Sequence, residues 1–362
     1  MDEVNFKWKD IISEFQGKRI FITGHTGFKG TWMTYFLTQI GANVTGYALE
    51  PETDPSHFRL LNLEKKINNI YADIRDKKRL SQALHDFQPE YVIHLAAQAL
   101  VKRSYSDPVS TFETNVIGSV NLMEAVRNTE SIRSFVYITS DKCYENKEWI
   151  WGYRETDRLG GHDPYSASKA AAEIAFSAYS RSFYDSDRNL GVASTRAGNV
   201  IGGGDWSADR IIPDCMRAIS NNQPIILRNP GATRPWQHVL EPISGYLLLA
   251  SLLAKNPKKY SGSWNFGPPT TQVRTVREVA ETIIRHVGRG SLQIESNANH
   301  QHEANLLQLN CDKANQILNW YPRWDVETTL AATSEWYVNL FAGRDVESMT
   351  NKQLRQYFVE WQ

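Results

Sequence analysis

"RIFITGHTGFKGT", residues 19–31, runs from three consecutive apolar side chains straight into a loop with glycines at 24, 27 and 30. A strand that is apolar at adjacent positions is buried on both faces, as in a parallel sheet covered by helices. The loop reads as a phosphate cradle. Gly24 permits a tight turn, Gly27 lets the backbone approach a pyrophosphate, and Gly30 allows close helix packing. A helix predicted from about Thr31 turns N–H groups and the positive end of its dipole toward the same phosphates. Gly24, Thr26, Gly27, Phe28, Lys29 and Gly30 are therefore the candidate dinucleotide contacts. The alternative, a Gly-rich surface turn, is disfavoured by the strand before the loop and the helix after it.

Outward from this unit the same alternation continues. "NVTGYAL", "INNIYAD", "YVIHLAA", "SFVYITS" and "VASTRAG" are strand-like, with helical stretches near Lys77 to Phe87, Val109 to Arg127 and from Tyr165. Buried strands joined by helical crossovers predict an α/β protein with a doubly wound parallel (Rossmann) sheet. After Gly198 the texture turns to Gly, Pro and Asn punctuation ("GNVIGGGDW", "RNPGATRPW"), with short helices such as Ile243 to Leu253 and Val276 to His286. We expect residues 1–198 to form the dinucleotide-binding domain, with a contribution from about 236–256. Residues 199–362 then form mainly a smaller α/β domain whose cleft faces the C-terminal ends of the strands.

Composition narrows the class. The chain has 362 residues, is 41% hydrophobic, and balances 40 Lys plus Arg against 40 Asp plus Glu, without a dense basic run to follow a nucleic-acid backbone. Apolar stretches fall short of the roughly 20 residues a membrane helix needs. The acidic, amphipathic N-terminus lacks an apolar signal core, so a cytoplasmic protein is expected. Three widely spaced cysteines predict neither a disulfide framework nor a thiolate metal cluster. The one tight histidine group, His300 to Glu303, lacks the i, i+4 spacing of a helical zinc pair, so no metal site is expected.

Two further places carry chemistry. The end of the second strand, where an acid usually holds the adenosine ribose, falls at Ala48; the nearest acid is Glu50, and no Arg stands there for a 2′-phosphate. NAD is therefore preferred over NADP, with a loose grip on the ribose. Asp73 either accepts from the adenine amine or caps a helix. "YSASK" puts Tyr165 and Lys169 on one helix face, after a strand ending in Ser140. A cationic Lys169 beside the phenol, with a positive nicotinamide nearby, would draw the Tyr165 pKa from about 10 toward neutrality. Tyr165 then acts as base on a sugar hydroxyl whose oxygen Ser140 holds.

Together "TGHTGFKG", "LAAQALVKRS", "TSDKCYE", "YSASK" and "RAGNVIGGGDW" resemble the extended short-chain dehydrogenase/reductase family over nearly the whole chain after about residue 17. Within it they are most similar to the nucleotide-sugar 4,6-dehydratases that act on CDP-glucose. The resemblance implies an NAD-dependent, redox-neutral lyase of deoxysugar and lipopolysaccharide O-antigen biosynthesis, with oxidation at C4, loss of water across C5 and C6, and hydride return to C6. It implies Asp141 as general acid. Lys142 stands where the dTDP-glucose branch has Glu. It is implied either as the C5 base, which requires a pKa drop worth roughly 4 to 5 kcal/mol, or as a partner of the enolate or of Asp141. Leu95, Ala96, Ala97 and Gln98 are implied along the cofactor, as are Ile74 and Thr139. Asn115 is implied as a backbone-ordering residue near the active-site lysine. Arg103 and Asn199 are implied on the substrate. Arg210 and Arg234 are implied on its diphosphate, with ordinary surface arginines as the alternative.

UDP-sugar 4-epimerases share Ser140, Tyr165 and Lys169 but carry small residues after the serine, so Asp141 and Lys142 favour a dehydratase. A dTDP- or GDP-linked substrate remains an alternative, and a non-catalytic NAD-sensing protein a distant one. The resemblance also implies a homodimer through a four-helix bundle, with Ala167, Ala170, Ala171, Ala172 and Ala175 on the tyrosine helix allowing close approach.

Overall fold

A computed structural model describes residues 8–184, 189–269, 272–295 and 306–358. Its centre is a seven-stranded parallel sheet: β1 (Arg19–Thr23), β2 (Asn43–Ala48), β3 (Asn68–Tyr71), β4 (Tyr91–His94), β5 (Ser134–Ile138), β6 (Gly191–Ala197) and β7 (Gly262–Phe266). Their order is β7-β6-β5-β4-β1-β2-β3, with every neighbouring pair parallel. The consecutive apolar residues of β1 explain the sandwich. Ile20 and Ile22 enter one core and Phe21 the other, as Tyr91 and Ile93 do against Val92 in β4. Helices Phe28–Gln39 and Leu240–Lys255 pack into the first core. Helices Lys77–Phe87, Ser119–Arg127 and Pro164–Tyr179 cover the second.

After β1 the chain winds toward β3, and from β4 it winds the other way. The crevice between the C-terminal ends of β1 and β4 is the place where such a sheet binds ligands. A buried contact locks the two strands there: Thr23 Oγ1 lies 2.6 Å from His94 Nδ1, and Ala96 N donates to the same hydroxyl. Above this edge sit three two-stranded ribbons. Val200–Ile201 pairs with Gln237–His238, Thr233–Pro235 with Val273–Thr275, and Ile225–Leu227 with Leu292–Ile294. Trp32 Nε1 donates to Gly203 O at 2.9 Å, fastening helix Phe28–Gln39 to the segment that leads into them.

Two elements differ from expectation. The helix after β1 begins at Phe28 rather than near Thr31, because Gly27 serves as an extended N-cap without a side chain. The stretch from Val109 to Arg127 is helical throughout, as expected, but not α-helical throughout. Pro108–Phe112 and Ser119–Arg127 flank a π-turn over Glu113–Gly118, which turns Asn115 inward. The His300 to Glu303 group lies outside the described residues.

Candidate active site

One large cleft runs along the C-terminal edge of the sheet. It is lined by Gly24 to Gly30, Leu95 to Gln98, Thr139 to Lys142, Tyr165, Lys169, Asn199, Arg210 and Arg234. At its first end the geometry is made by missing atoms. A Cβ on Gly24, whose φ is +73°, would stand 2.6 Å from Ala96 N, and one on Gly30 would stand 2.1 Å from Gly24 O. Both positions are closed to any side chain. Gly27 differs: its Cβ would meet only Gly24 O, at 3.5 Å, so the space above it is open. The helix that starts there carries no side-chain cap, leaving its first amides for an anion. These features fit the pyrophosphate of a dinucleotide.

Farther along this end the adenosine side is loosely furnished. Ala48 closes β2, and Glu50 is turned away into an exposed ion pair with Arg59 at 3.2 Å. The Asp73 carboxylate takes the Arg75 backbone amide at 2.8 Å and its guanidinium at 2.7 Å, which hold it below the ordinary carboxylate range; it caps its own loop. Thr26 Oγ1 donates to Leu49 O, and Ile74 lines the cleft beside Asp73.

The catalytic end is built from a turn and a helix. β5 gives out at Thr139, and a short 3₁₀ turn over Asp141–Cys143 follows, with Ser140 as its cap: Lys142 N donates to Ser140 Oγ at 3.2 Å. Ser140 Oγ donates in turn to Asp141 Oδ1 at 2.9 Å. Asp141 is 4% exposed, and burial pushes its carboxyl above the ordinary range against the pull of Lys142, the Ser140 hydroxyl, Lys29 and Arg234. Facing the turn is helix Pro164–Tyr179, capped by Asp163, whose carboxylate accepts from Ser166 N at 2.9 Å. This helix buries Tyr165 and Lys169 one turn apart.

Their titration departs from the expected direction. Burial holds the Tyr165 phenol up at about 12, the Ser140 hydroxyl and Arg210 pulling it down and Asp141 pushing it up. Lys169 Nζ stands 6.0 Å from the tyrosine ring centroid. Burial, with help from Lys29, lowers the Lys169 ammonium to about 8. The protein alone therefore keeps Tyr165 protonated more firmly than the sequence implied. Lys29 also sits elsewhere than expected of a loop residue: burial, Arg210 and Asp141 act on it, its pKa falls to about 8, and it belongs electrically to the catalytic end.

Asn115 is fully buried. Its amide donates to Gln98 O at 3.0 Å and Ser168 Oγ at 2.8 Å and accepts from Gln98 N at 2.8 Å, joining the loop after β4 to the tyrosine helix. The four predicted substrate contacts divide. Asn199 and Arg234 sit above the turn, and the Arg234 charge reaches Asp141. Arg210 pairs with Asp205 at 3.0 Å and faces Tyr165. Arg103 lines the cleft, but its guanidinium is engaged by Glu52 at 2.8 Å.

Sequence reasoning missed Glu173 and Arg196, 1% and 2% exposed, which form an ion pair of 2.7 Å directly beneath the turn. The available signal was a Glu four residues after Lys169, on the helix face already taken as buried.

The model of the family described as GDP-mannose 4,6 dehydratase matches residues 21–333. A CDP-glucose 4,6-dehydratase of Salmonella typhimurium is 46% identical, with 95% of this chain and 97% of that protein covered. Among solved structures, a Bacillus anthracis dTDP-glucose 4,6-dehydratase in complex with NAD superposes at a TM-score of 0.75 with 20% identity, covering 91% of this chain and 99% of that one. A Thermotoga maritima UDP-glucose 4-epimerase with UDP-glucose gives 0.76 at 20% identity, over 89% and 99%. At such identities these two likenesses establish the fold and leave the chemistry to the site.

Proposed function

The chain belongs to the GDP-mannose 4,6-dehydratase family, and from that premise we propose that it dehydrates CDP-glucose to CDP-4-keto-6-deoxyglucose, using NAD as a recycled cofactor. The observation that carries this reading over an epimerase is the turn itself. A buried acid, Asp141, and a lysine, Lys142, follow Ser140 within one turn that faces Tyr165 and Lys169. Oxidation alone needs only Ser140, Tyr165 and Lys169; elimination of water needs an acid and a base more.

Gly24 to Gly30, Leu95 to Gln98 and Thr139 would hold the cofactor. When bound it would supply a reversible acceptor for the hydride that leaves C4 and ends on C6, and a positive ring charge. Ser140 holds the oxygen of the sugar 4-hydroxyl, and Tyr165 takes its proton as the bond to carbon becomes a carbonyl. The 4-ketone acidifies the C5 hydrogen, which Lys142 removes as a proton and, after exchange with solvent, gives back to C5 when C6 receives the hydride. Asp141, whose carboxyl burial pushes above the ordinary range, gives its proton to the departing 6-hydroxyl, and one water leaves. Arg210 and Arg234 would meet the diphosphate, with Asn199 beside the sugar, and residues 199–235 would close over the nucleotide.

A second copy of the chain is the proposed partner. Val109, Ile117 and Ile174 lie 68%, 54% and 58% exposed on the two helical stretches expected to form the bundle, while Ala170 and Ala172 turn inward. The apolar branched residues, rather than the alanines, are thus the contact face we propose. Sedimentation giving only a 41.3 kDa species at micromolar concentration would remove this dimer. Among the described residues no helix is long and apolar enough to cross a membrane, and we assign the enzyme to the cytoplasm, where nucleotide sugars are made.

The test is incubation with NAD and CDP-, dTDP-, GDP- or UDP-linked hexoses in deuterated water. A CDP-4-keto-6-deoxy product carrying deuterium at C5, without net NADH, is expected. An epimerised sugar that keeps its 6-hydroxyl would overturn the reading.

A further inference from the structure

The ion pair beneath the turn is bonded to both of its flanks through the Glu173 carboxylate and the two Arg196 Nη atoms. Glu173 accepts from Thr139 Oγ1 at 2.5 Å, Ser194 Oγ at 2.8 Å and Arg196 Nη2 at 2.7 Å. Arg196 Nη1 donates to Tyr144 OH at 2.7 Å and Glu155 O at 3.1 Å, Nη2 also reaches Ser263 Oγ at 3.2 Å, and the guanidinium lies 4.9 Å from the Tyr144 ring centroid. Thr139 is the residue just before Ser140, and Tyr144 is the first after the Asp141–Cys143 turn. One buried pair therefore grips the turn at both ends. Glu173 itself stands one helical turn beyond Lys169, so the same carboxylate is rigidly joined to Tyr165 and Lys169.

We infer that Glu173 and Arg196 are positioning residues that set the distance between the turn and the tyrosine helix, and through Tyr144 govern the elimination step more than the oxidation. The asymmetry follows from chain order. Ser140, used in oxidation, is held from the leading side by Thr139, whose amide also bonds Thr195 O at 2.8 Å. Lys142 lies nearer the trailing side, and Asp141 is tied to it by its carbonyl, which accepts from Tyr144 N at 3.3 Å; there Tyr144 OH, donating to Asn265 Oδ1 at 2.8 Å and accepting from Arg196, is the anchor. A planar guanidinium can serve Glu173 and Tyr144 at once; an ammonium cannot hold that fork.

This inference rests on the dehydratase reading, and the experiment separates the two. Tyr144→Phe and Arg196→Lys are compared with wild type in single-turnover reactions with CDP-glucose and NAD, following reduced cofactor and product together. Elimination is expected to slow about tenfold to a hundredfold in Tyr144→Phe, the usual consequence of a small misplacement, while oxidation changes little. Reduced cofactor then accumulates transiently, more so in Arg196→Lys, with KM unchanged. A parallel fall of both steps would overturn the inference. Melting of the proteins without ligand supplies a second readout: the losses in Thr139→Val and Tyr144→Phe are expected to be non-additive when combined, because both release the same pair. Additive losses would show two independent anchors and also overturn it. If wild type forms no keto-deoxy sugar, the dehydratase reading fails instead, while the melting comparison still tests the clamp.

Discussion

The two ends of the cleft are made by opposite means. At the cofactor end the working surface is backbone: Gly24 and Gly30 let chain segments meet at distances that no Cβ permits, and Gly27 leaves room above an uncapped helix. At the catalytic end the surface is crowded with ionisable side chains held out of water. Burial lowers Lys29 and Lys169 to about 8, lifts Tyr165 to about 12 and raises Asp141. The first end tolerates change according to space alone. The second withdraws its groups from water, which brings its two lysines near their switching points, at a cost in stability.

That contrast predicts where single atoms matter most. Tyr165→Phe removes one oxygen from the group proposed to take the 4-hydroxyl proton, and kcat is expected to fall about a thousandfold or more, with the melting temperature unchanged or higher. Retained turnover, measured by product formation under saturating substrate, would dismantle the catalytic assignment. Asp141→Asn is expected to cost about a hundredfold, confined to the departure of the 6-hydroxyl. Its signature is a persistent pool of reduced cofactor in rapid mixing; equal loss in every step would place Asp141 outside the elimination.

The same contrast explains what the sequence disclosed. The cofactor end was legible because its signal is local: one strand, three glycines and one helix within residues 19–39. The doubly wound sheet was legible for a related reason, since consecutive apolar residues such as Ile20, Phe21 and Ile22 demand cover on both faces. Ser140, Tyr165 and Lys169 were found as types, but their titration was not. The direction of Tyr165 depends on burial and on Asp141, which approaches from 24 positions earlier in the chain. Glu173 and Arg196 were invisible because a charge reads as surface until its partner is known, and these two lie 23 residues apart, one on the tyrosine helix and one on β6. The Asn115 turn escaped because a single wider π-turn inside a helix leaves the helical pattern on either side of it intact.

Electrostatic cost at the catalytic end is itself measurable. Lys169 has a pKa of about 8 in the folded chain against 10.5 when exposed, so the folded state binds that proton less well than the unfolded one. The penalty is fully present below about pH 8 and fades as pH rises from 8 to 10.5. A difference of that size corresponds to about 3 kcal/mol. Lys169→Met is therefore expected to melt a few degrees above wild type at pH 7, with the gap closing toward pH 10, although it abolishes turnover. In wild type, kcat should decline above about pH 8 as the ammonium is lost. A destabilised Lys169→Met at pH 7 would mean that the lysine contributes packing or bonding that outweighs its desolvation.

At the cofactor end the corresponding comparison is between two alanines. In Gly30→Ala the new methyl would stand 2.1 Å from Gly24 O and 2.8 Å from His25 Cα, both backbone atoms that cannot turn aside. The helix must shift, and about 1 to 3 kcal/mol of stability is expected to go with it. In Gly27→Ala the methyl meets nothing closer than 3.5 Å, and its φ of −76° suits any residue. The fold should lose only the few tenths of a kcal/mol that separate glycine from alanine at an N-cap. NAD, however, must come to the face where that methyl now stands, so titration calorimetry should show affinity lower by about tenfold, or about 1.4 kcal/mol. A Gly27→Ala protein that melts like wild type and binds NAD equally well would show that the pyrophosphate does not rest on this loop. If it instead melts early, the glycine serves the fold, and the division between an end made of space and an end made of charge loses its sharpest instance.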